Sequence, residues 1–170
     1  MGDWSFMSSG LHDGRVAIVT GAGSGIGRST SERFISEGGS VVAVDKDEEF
    51  FDWIGSKERI FPLVGDVTDS ETTIFAVEKA KEMFGGLHAA VFNAGVSARG
   101  DLTESDMGLF DRTMEVNVRA VVLGVRAVVP ELLKAGARRC DCCDCFDIRF
   151  TWGSRSLGLQ RLKGCCNKFS

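Results

Sequence analysis

The chain has 170 residues, of which 44% are hydrophobic and 26% charged, the balance of one ordinary globular domain. Its formal net charge of −4, with no clustered stripe of lysine and arginine, excludes nucleic-acid binding driven by electrostatics. No apolar run is long enough to cross a bilayer, and the N-terminus lacks the basic and apolar regions of a secretory signal. We therefore expect a cytoplasmic protein without a membrane partner.

Short apolar segments alternate with helical patterns along the first 133 residues. The predicted strands are residues 15–20, 40–45, 60–64 and 87–93. One predicted helix starts near Ile26 and is ended by Gly38 and Gly39, and a second extends from an N-cap at Ser70 to a stop at Gly85. A long helical pattern then covers residues 104–133, whereas residues 47–59 carry no firm periodicity.

This alternation predicts an α/β fold of the Rossmann type, a doubly wound parallel sheet with helices on both faces. The pattern ends after about the fourth strand and the fourth helix, and residues 140–170 are expected to be irregular. We divide the chain into an N-terminal extension (residues 1–13), a Rossmann domain (residues 14–137) and a cysteine-rich tail (residues 138–170).

A glycine-rich turn, "TGAGSGIG", joins the first strand to the first helix at residues 20–27. Glycines let the backbone approach a pyrophosphate closely, and the following helix offers free N–H groups and the positive end of its dipole. Such a turn alone is weak evidence, but here it lies between a strand and a helix as dinucleotide binding requires.

Asp45 ends the second predicted strand, where an acidic side chain can accept hydrogen bonds from both ribose hydroxyls of NAD. Its charge would also repel the 2′-phosphate of NADP, so NAD is preferred over NADP. Lys46 beside it weakens this preference. A structural alternative for Asp45 is a helix cap or a solvated loop residue.

At these positions and at three further motifs the chain resembles the short-chain dehydrogenase/reductase family. The resemblance covers about residues 14–135 and is specific, because five motifs occur in order at family spacing. It implies cofactor-binding roles for Gly21, Ser24, Gly25, Ile26 and Gly27 of the turn, for Asp45, for Asp66 (an adenine contact) with Val67, and for Asn93, Ala94 and Gly95. Phe92 departs from the asparagine that usually precedes this last group.

The resemblance also implies the reaction and its setting. The family moves a hydride between NAD(H) and a small-molecule alcohol or ketone, and Asn117 in the long helix matches the asparagine that holds a water in its proton relay. The sheet order should be 3-2-1-4. A full-length relative is expected to be a homo-oligomer in which the long helix packs on a partner subunit. This assembly is not expected of the present chain. Val125, Val128 and their apolar neighbours on the helix would then be partly exposed.

The family's acid/base is missing from these 170 residues. It uses a tyrosine, a lysine four residues later and a serine about thirteen residues earlier, because proton transfer needs a group within hydrogen-bond reach and tuned toward the working pH. The chain contains no tyrosine. A structural role is an alternative for Asn117, and Asn93 could simply fasten two strands through its amide.

The cysteines are confined to the tail, "RRCDCCDCFDIRFTW" and a later pair, after 137 residues that contain none. A tetrahedral zinc site would need ligands at other spacings, and the tail lacks a second knuckle or a histidine. A disulfide framework conflicts with a cytoplasmic protein. Neither histidine of the chain has a partner at metal-ligand spacing, so no metal site is predicted.

A shifted reading frame explains the tail better. Codons for residues 140–146, read one nucleotide later, permit only Ala, Val, Ile or Thr at six successive places, the composition of a buried strand. The same frame permits a serine, a tyrosine thirteen codons later and a lysine four codons after that. Three functions stay open: a dehydrogenase whose sequence is frameshifted, a non-catalytic nucleotide-binding remnant, and, more distantly, a thiolate metal binder.

Resequencing the coding DNA from the codon of Leu132 onward tests the frame directly. We expect one nucleotide to be miscounted near Arg139, which would restore the serine, tyrosine and lysine. A DNA sequence that confirms the present frame would contradict this expectation and leave a gene product without its acid/base.

Overall fold

The computed structural model describes residues 10–55, 58–97 and 106–135, and the backbone of residues 146–147 and 160–161. The chain divides into two compact units, Met1–Gly136 and Ala137–Ser170. The first unit contains strands β1 (Val16–Thr20), β2 (Ser40–Asp45), β3 (Ile60–Val64) and β4 (Ala89–Phe92), and helices α1 (Gly25–Ser36), α2 (Ser70–Phe84), α3 (Met107–Met114) and α4 (Ala120–Lys134). The second contains β5 (Phe146–Asp147) and β6 (Gln160–Arg161).

The four strands of the first unit form one parallel sheet in the order β3-β2-β1-β4. This is the predicted order, and the doubly wound α/β prediction is confirmed. Strand β1 lies inside the sheet, and all five of its residues are buried. A strand covered on both faces must be apolar throughout, which is why "VAIVT" reads as a continuous apolar run and not as an alternating one.

Each face of the sheet has its own core. Val16 and Ile18 of β1 point to one face, where they join a cluster with residues of α2 and with Val128 of α4. Val19 of β1 points to the other face, where Ile54 of the connection after β2 completes a second cluster. Because successive side chains of a strand point to opposite faces, one short strand supports both cores.

One helix boundary differs from prediction by a capping residue. The N-cap of α2 is Asp69 and not Ser70, and its carboxylate accepts a hydrogen bond from the backbone N–H of Glu71 (3.0 Å). Helix α2 ends as predicted at Gly85, whose φ of 83° lies in the left-handed region that glycine adopts without strain. The aperiodic segment after β2 contains a 3₁₀ turn, Glu48–Phe51.

The long helical pattern is one continuous helix with a π-helical segment, Glu115–Arg119, between α3 and α4. Its predicted first turn, from residue 104, lies outside the described residues; α3 starts at Met107 with Asp106 as N-cap. A π segment inserts an extra residue into the helix and often marks a functional position. Asn117 lies at the centre of this one.

The prediction that the apolar positions of α4 are partly exposed holds for Val125, at 39% exposure, and is wrong for Val128, at 1%. Val128 packs in the core between α2 and the sheet. The sequence pattern could not separate the two valines, because both lie in one apolar stretch and only the packing of α2 on α4 covers one side of it.

The second unit contains one antiparallel pair, in which Phe146 lies opposite Arg161 and Asp147 opposite Gln160. Residues 140–170, predicted to be irregular, therefore include two strands too short for any alternation to indicate them. The tail cysteines lie outside the described residues. Within the described ranges, no group of three His, Cys, Asp or Glu side chains is placed to hold a metal ion, and none of the helices is long and apolar enough to cross a membrane.

Phe92 and Gly124 fit together where β4 meets α4. A Cβ atom on Gly124 would lie closer to the Phe92 ring than van der Waals contact allows, at 2.9 Å from its Cδ1 and Cζ atoms and nearer still to Cε1. The glycine thus makes room for the large residue at a position where the family usually has asparagine. Such a pair cannot be read from one strand and one helix separately.

Replacing Gly124 with alanine should lower the free energy of unfolding by about 1–3 kcal/mol, because overpacking outweighs the gain in helix propensity. Thermal or urea unfolding of the Gly124→Ala variant measures this. Phe92→Leu added to Gly124→Ala should recover most of the loss. An alanine variant as stable as the parent would show that the ring moves aside freely.

Candidate cofactor-binding site

The carboxyl ends of all four strands meet at one edge of the sheet, and most of the predicted site residues follow them directly. The glycine turn follows β1, Asp45 ends β2, Asp66 comes two residues after β3, and Asn93 comes directly after β4. In open α/β sheets, ligands bind in the crevice outside these ends. The topology thus brings together residues that are up to 73 positions apart in the chain.

The glycines of the turn are required by close backbone contacts. Gly21 has a φ of 65°, and a Cβ there would lie 2.9 Å from the Cα of Ala94. A Cβ on Gly27 would lie 2.6 Å from Nδ2 of Asn93 and would overlap the carbonyl oxygen of Gly21. These two glycines let the turn pack against the end of β4 and bring the start of α1 under it.

The start of α1 is open. A Cβ on Gly25 would meet no atom within 4 Å, and the N-cap Ser24 makes no side-chain hydrogen bond to the first turn. Ile26 in that first turn is 77% exposed. Uncapped N–H groups at the positive end of a helix suit a phosphate. The free N–H groups at the start of α1 are therefore of the kind that bind a phosphate.

Asp45 is turned toward the glycine turn. Its Oδ2 accepts a hydrogen bond from the backbone N–H of Gly23 (2.9 Å), and its Oδ1 accepts one from the N–H of Lys46 (2.8 Å). A carboxylate has about four acceptor positions, so about two are left for other donors. The half-buried side chain is neither a helix cap nor a fully solvated loop residue.

Thr20 and Asn93 fasten β1 to β4 at the site. The Thr20 hydroxyl accepts hydrogen bonds from the backbone N–H groups of Asn93 and Ala94 (both 3.1 Å) and donates one to the carbonyl of Val91 (3.4 Å). The Asn93 amide donates to the carbonyls of Thr20 and Gly21 (both 3.2 Å). Asn93 thus holds the turn in place through its side chain, the fastening role weighed for it above.

Asp66 is bound on both carboxylate oxygens. Oδ1 accepts from the N–H (2.9 Å) and hydroxyl (2.7 Å) of Thr68, and Oδ2 accepts from Nη2 of Arg112 (2.7 Å). Partial burial raises the pKa of Asp66, but the hydrogen bonds from Arg112 and Thr68 and the guanidinium charge outweigh it, and the pKa is about 2. Asp66 is therefore ionised at neutral pH. Val67 beside it packs against the core.

Asn117 binds the segment that follows β4. Its Oδ1 accepts from the N–H of Val96 (2.9 Å), and its Nδ2 donates to the carbonyl of Val96 (2.8 Å). A Cβ added to Gly95 would lie 3.3 Å from the same Oδ1. The π segment thus presents an amide that pairs with backbone as a strand would, and one amide hydrogen and one acceptor position remain for another partner.

Sequence reasoning identified the residues at the strand ends but missed two that hold them. Thr20 belongs to the recognised turn, but its hydroxyl receives two backbone donors from a strand more than 70 positions away. Arg112 has no signal in the sequence, because its partner Asp66 is 46 positions away on another element. The sequence shows which residues end a strand, but not which side chains of other elements bind them.

Thr20→Val should lower the free energy of unfolding by about 1–3 kcal/mol, because two backbone N–H groups in a part-buried position lose their acceptor. Thr20→Ser keeps the hydroxyl and should be nearly neutral. Urea unfolding of both variants measures the difference. Equal stability of the valine and serine variants would show that water replaces the hydroxyl.

The comparisons with known proteins agree with this geometry. The family model described as short chain dehydrogenase matches residues 15–139. A 2-(R)-hydroxypropyl-CoM dehydrogenase of Xanthobacter autotrophicus is 37% identical over 132 residues, 72% of this chain and 53% of that protein. A 3-oxoacyl-[acyl-carrier-protein] reductase of Thermotoga maritima is 32% identical over 127 residues, 72% of this chain and 52% of that protein.

A solved structure gives the same result. The 3-ketoacyl-(acyl-carrier-protein) reductase from Brucella melitensis, crystallised in complex with NADH, superposes with a TM-score of 0.70 at 32% identity, over 74% of this chain and 53% of that one. The chain spans about half the length of the curated relatives it matches. The family model covers most of the chain, and the fold and the glycine turn agree with it: this chain belongs to the short-chain dehydrogenase family.

Proposed function

We propose that this chain is the nucleotide-binding part of an oxidoreductase that transfers a hydride between NAD(H) and a small-molecule alcohol or ketone. The observation that carries the proposal is the open start of α1, where an uncapped helix end follows the glycine turn that Asp45 binds through the N–H of Gly23. The dehydrogenases and reductases among its relatives support the reaction class.

The residues present fit a dinucleotide. Gly25, Ile26 and Gly27 would offer their backbone N–H groups to the pyrophosphate, and Asp66 a free acceptor to the adenine. Asn93, Ala94 and Gly95 would border the nicotinamide side. The cofactor, when bound, supplies the hydride or accepts it. The protein residues bind and orient it.

Asp45 supports NAD over NADP. Its remaining acceptor positions suit two ribose hydroxyl donors, and a 2′-phosphate at the same place would meet its negative charge. Lys46 next to it lies near Asp47 (Nζ to Oδ2, 3.6 Å), so a carboxylate offsets part of its positive charge.

Turnover is not expected of the 170 residues as they stand, because they contain no tyrosine to give or take the hydroxyl proton. Asn117 would contribute by holding Val96 and by orienting a water with its remaining amide hydrogen. A second candidate function, a non-catalytic nucleotide-binding protein, is favoured by the same missing tyrosine. Detectable NADH binding without turnover of an alcohol and ketone panel distinguishes it, provided that the DNA confirms the present frame.

Asp45→Asn should weaken NADH binding about tenfold and NADPH binding much less, because the variant loses charge-assisted hydrogen bonds to the ribose but also the repulsion of the 2′-phosphate. Titrations that follow NADH and NADPH fluorescence measure both affinities. Asp52→Asn is the matched control, since Asp52 is an exposed aspartate whose carboxylate makes no hydrogen bond or ion pair among the described residues. Equal losses for both cofactors would contradict the role of Asp45.

A further inference from the structure

Arg112 of α3 reaches across to the end of β3. Its Nη2 donates to Oδ2 of Asp66 at 2.7 Å, and its Nη1 lies 3.4 Å from the Thr68 hydroxyl, which itself donates to Oδ1 of Asp66. The planar guanidinium thus contacts both side chains of one small cluster. The cluster joins the helix that carries Asn117 to the strand end that carries Asp66.

The bonds to Asp66 leave it a defined direction for one more donor. A carboxylate offers about four acceptor positions, and Thr68 occupies two on Oδ1 while Arg112 occupies one on Oδ2. The fourth position lies on Oδ2. Because both oxygens accept hydrogen bonds, the carboxylate plane is restrained, and this position has a preferred orientation.

The ion pair contributes little to folding. The side chains of Arg112 and Asp66 are 43% and 41% exposed, and pairs in such surroundings stabilise proteins by only about 0–1 kcal/mol. Arg112 also lies near Glu115 (Nη1 to Oε2, 3.7 Å), but its shorter and better aligned bond goes to Asp66. The contact instead affects the orientation of the Asp66 carboxylate, because it occupies one acceptor position on Oδ2.

We propose that Arg112 is a positioning residue of the cofactor site, which orients the Asp66 carboxylate so that its one free acceptor receives the exocyclic amino group of the adenine. This inference rests on the proposed function, since it needs a bound adenine nucleotide. It places a determinant of base recognition on α3, outside the glycine turn and the strand ends. Arginine suits the role because its fork contacts Asp66 and Thr68 together, whereas a lysine ammonium is a single point charge.

The test compares NADH with its purine analogue, in which a hydrogen atom replaces the exocyclic amino group of adenine and the rest of the molecule is unchanged. The 170-residue chain and its Arg112→Met, Arg112→Lys and Asp66→Asn variants are titrated with each nucleotide by fluorescence. Arg126→Met is the matched control, since Arg126 is an exposed arginine further along the same continuous helix and makes no contact with Asp66 among the described residues.

The parent chain should bind NADH about tenfold more tightly than the analogue, the value of one charge-assisted hydrogen bond. Arg112→Met and Asp66→Asn should reduce this ratio to near one, Arg112→Lys should retain part of it, and Arg126→Met should retain all of it. If the role of Arg112 is merely structural, Arg112→Met should weaken the binding of both nucleotides equally and leave the ratio of their affinities unchanged.

The outcomes separate the two proposals. If the parent binds neither nucleotide, the proposed function fails, and the inference fails with it. If the parent discriminates and Arg112→Met discriminates equally, only the inference is overturned. If circular dichroism shows that Arg112→Met does not fold, Arg112→Lys decides instead. An undiminished affinity ratio in Arg112→Lys, together with a lost ratio in Asp66→Asn, would show that Asp66 needs no positioning by Arg112.

Discussion

The hydroxyl group of Thr20 is the contact on which the rest of the site depends. Thr20 ends the most buried strand of the sheet, and its hydroxyl accepts hydrogen bonds from the first two backbone N–H groups after β4. These bonds set the distance between β1 and β4 beyond the last ladder bond, and Asn93 then holds the glycine turn from the same side. The turn requires glycines, because its backbone has no room for side chains once the two strands are fastened so closely.

Two carboxylates at neighbouring strand ends are held in different ways. Asp45 is bound by backbone N–H groups alone, which direct it toward the turn. Asp66 is bound by a hydroxyl, one backbone N–H and a guanidinium, which keep it ionised and restrict its plane. Both keep acceptor capacity, so the edge of the sheet carries oriented acceptors beside the uncapped N-terminus of α1. This arrangement suits a ligand with a negative centre and hydrogen-bond donors on its flanks, as a dinucleotide has.

Nucleotide binding and proton transfer come from different parts of such a fold. The residues that we propose to contact the cofactor lie at or after the carboxyl ends of the first four strands, so we expect these elements to suffice for nucleotide binding. The acid/base expected by resemblance belongs to a later segment, where this chain has cysteines and no tyrosine. Within the described residues, the π segment is joined to the segment after β4 by the pairing of Asn117 with Val96.

The sequence by itself determined the strands, the glycine turn and the residues at the strand ends, because these depend on local periodicity and on motifs of fixed spacing. It also indicated that Phe92 is unusual, but not that Gly124 accommodates it. Only the tertiary structure decided that Val128 is buried while Val125 is exposed, and that Arg112 binds Asp66. The physical reason is the same in each case: packing and hydrogen bonding between elements far apart in the chain depend on how helices lie on the sheet, and no local pattern encodes that.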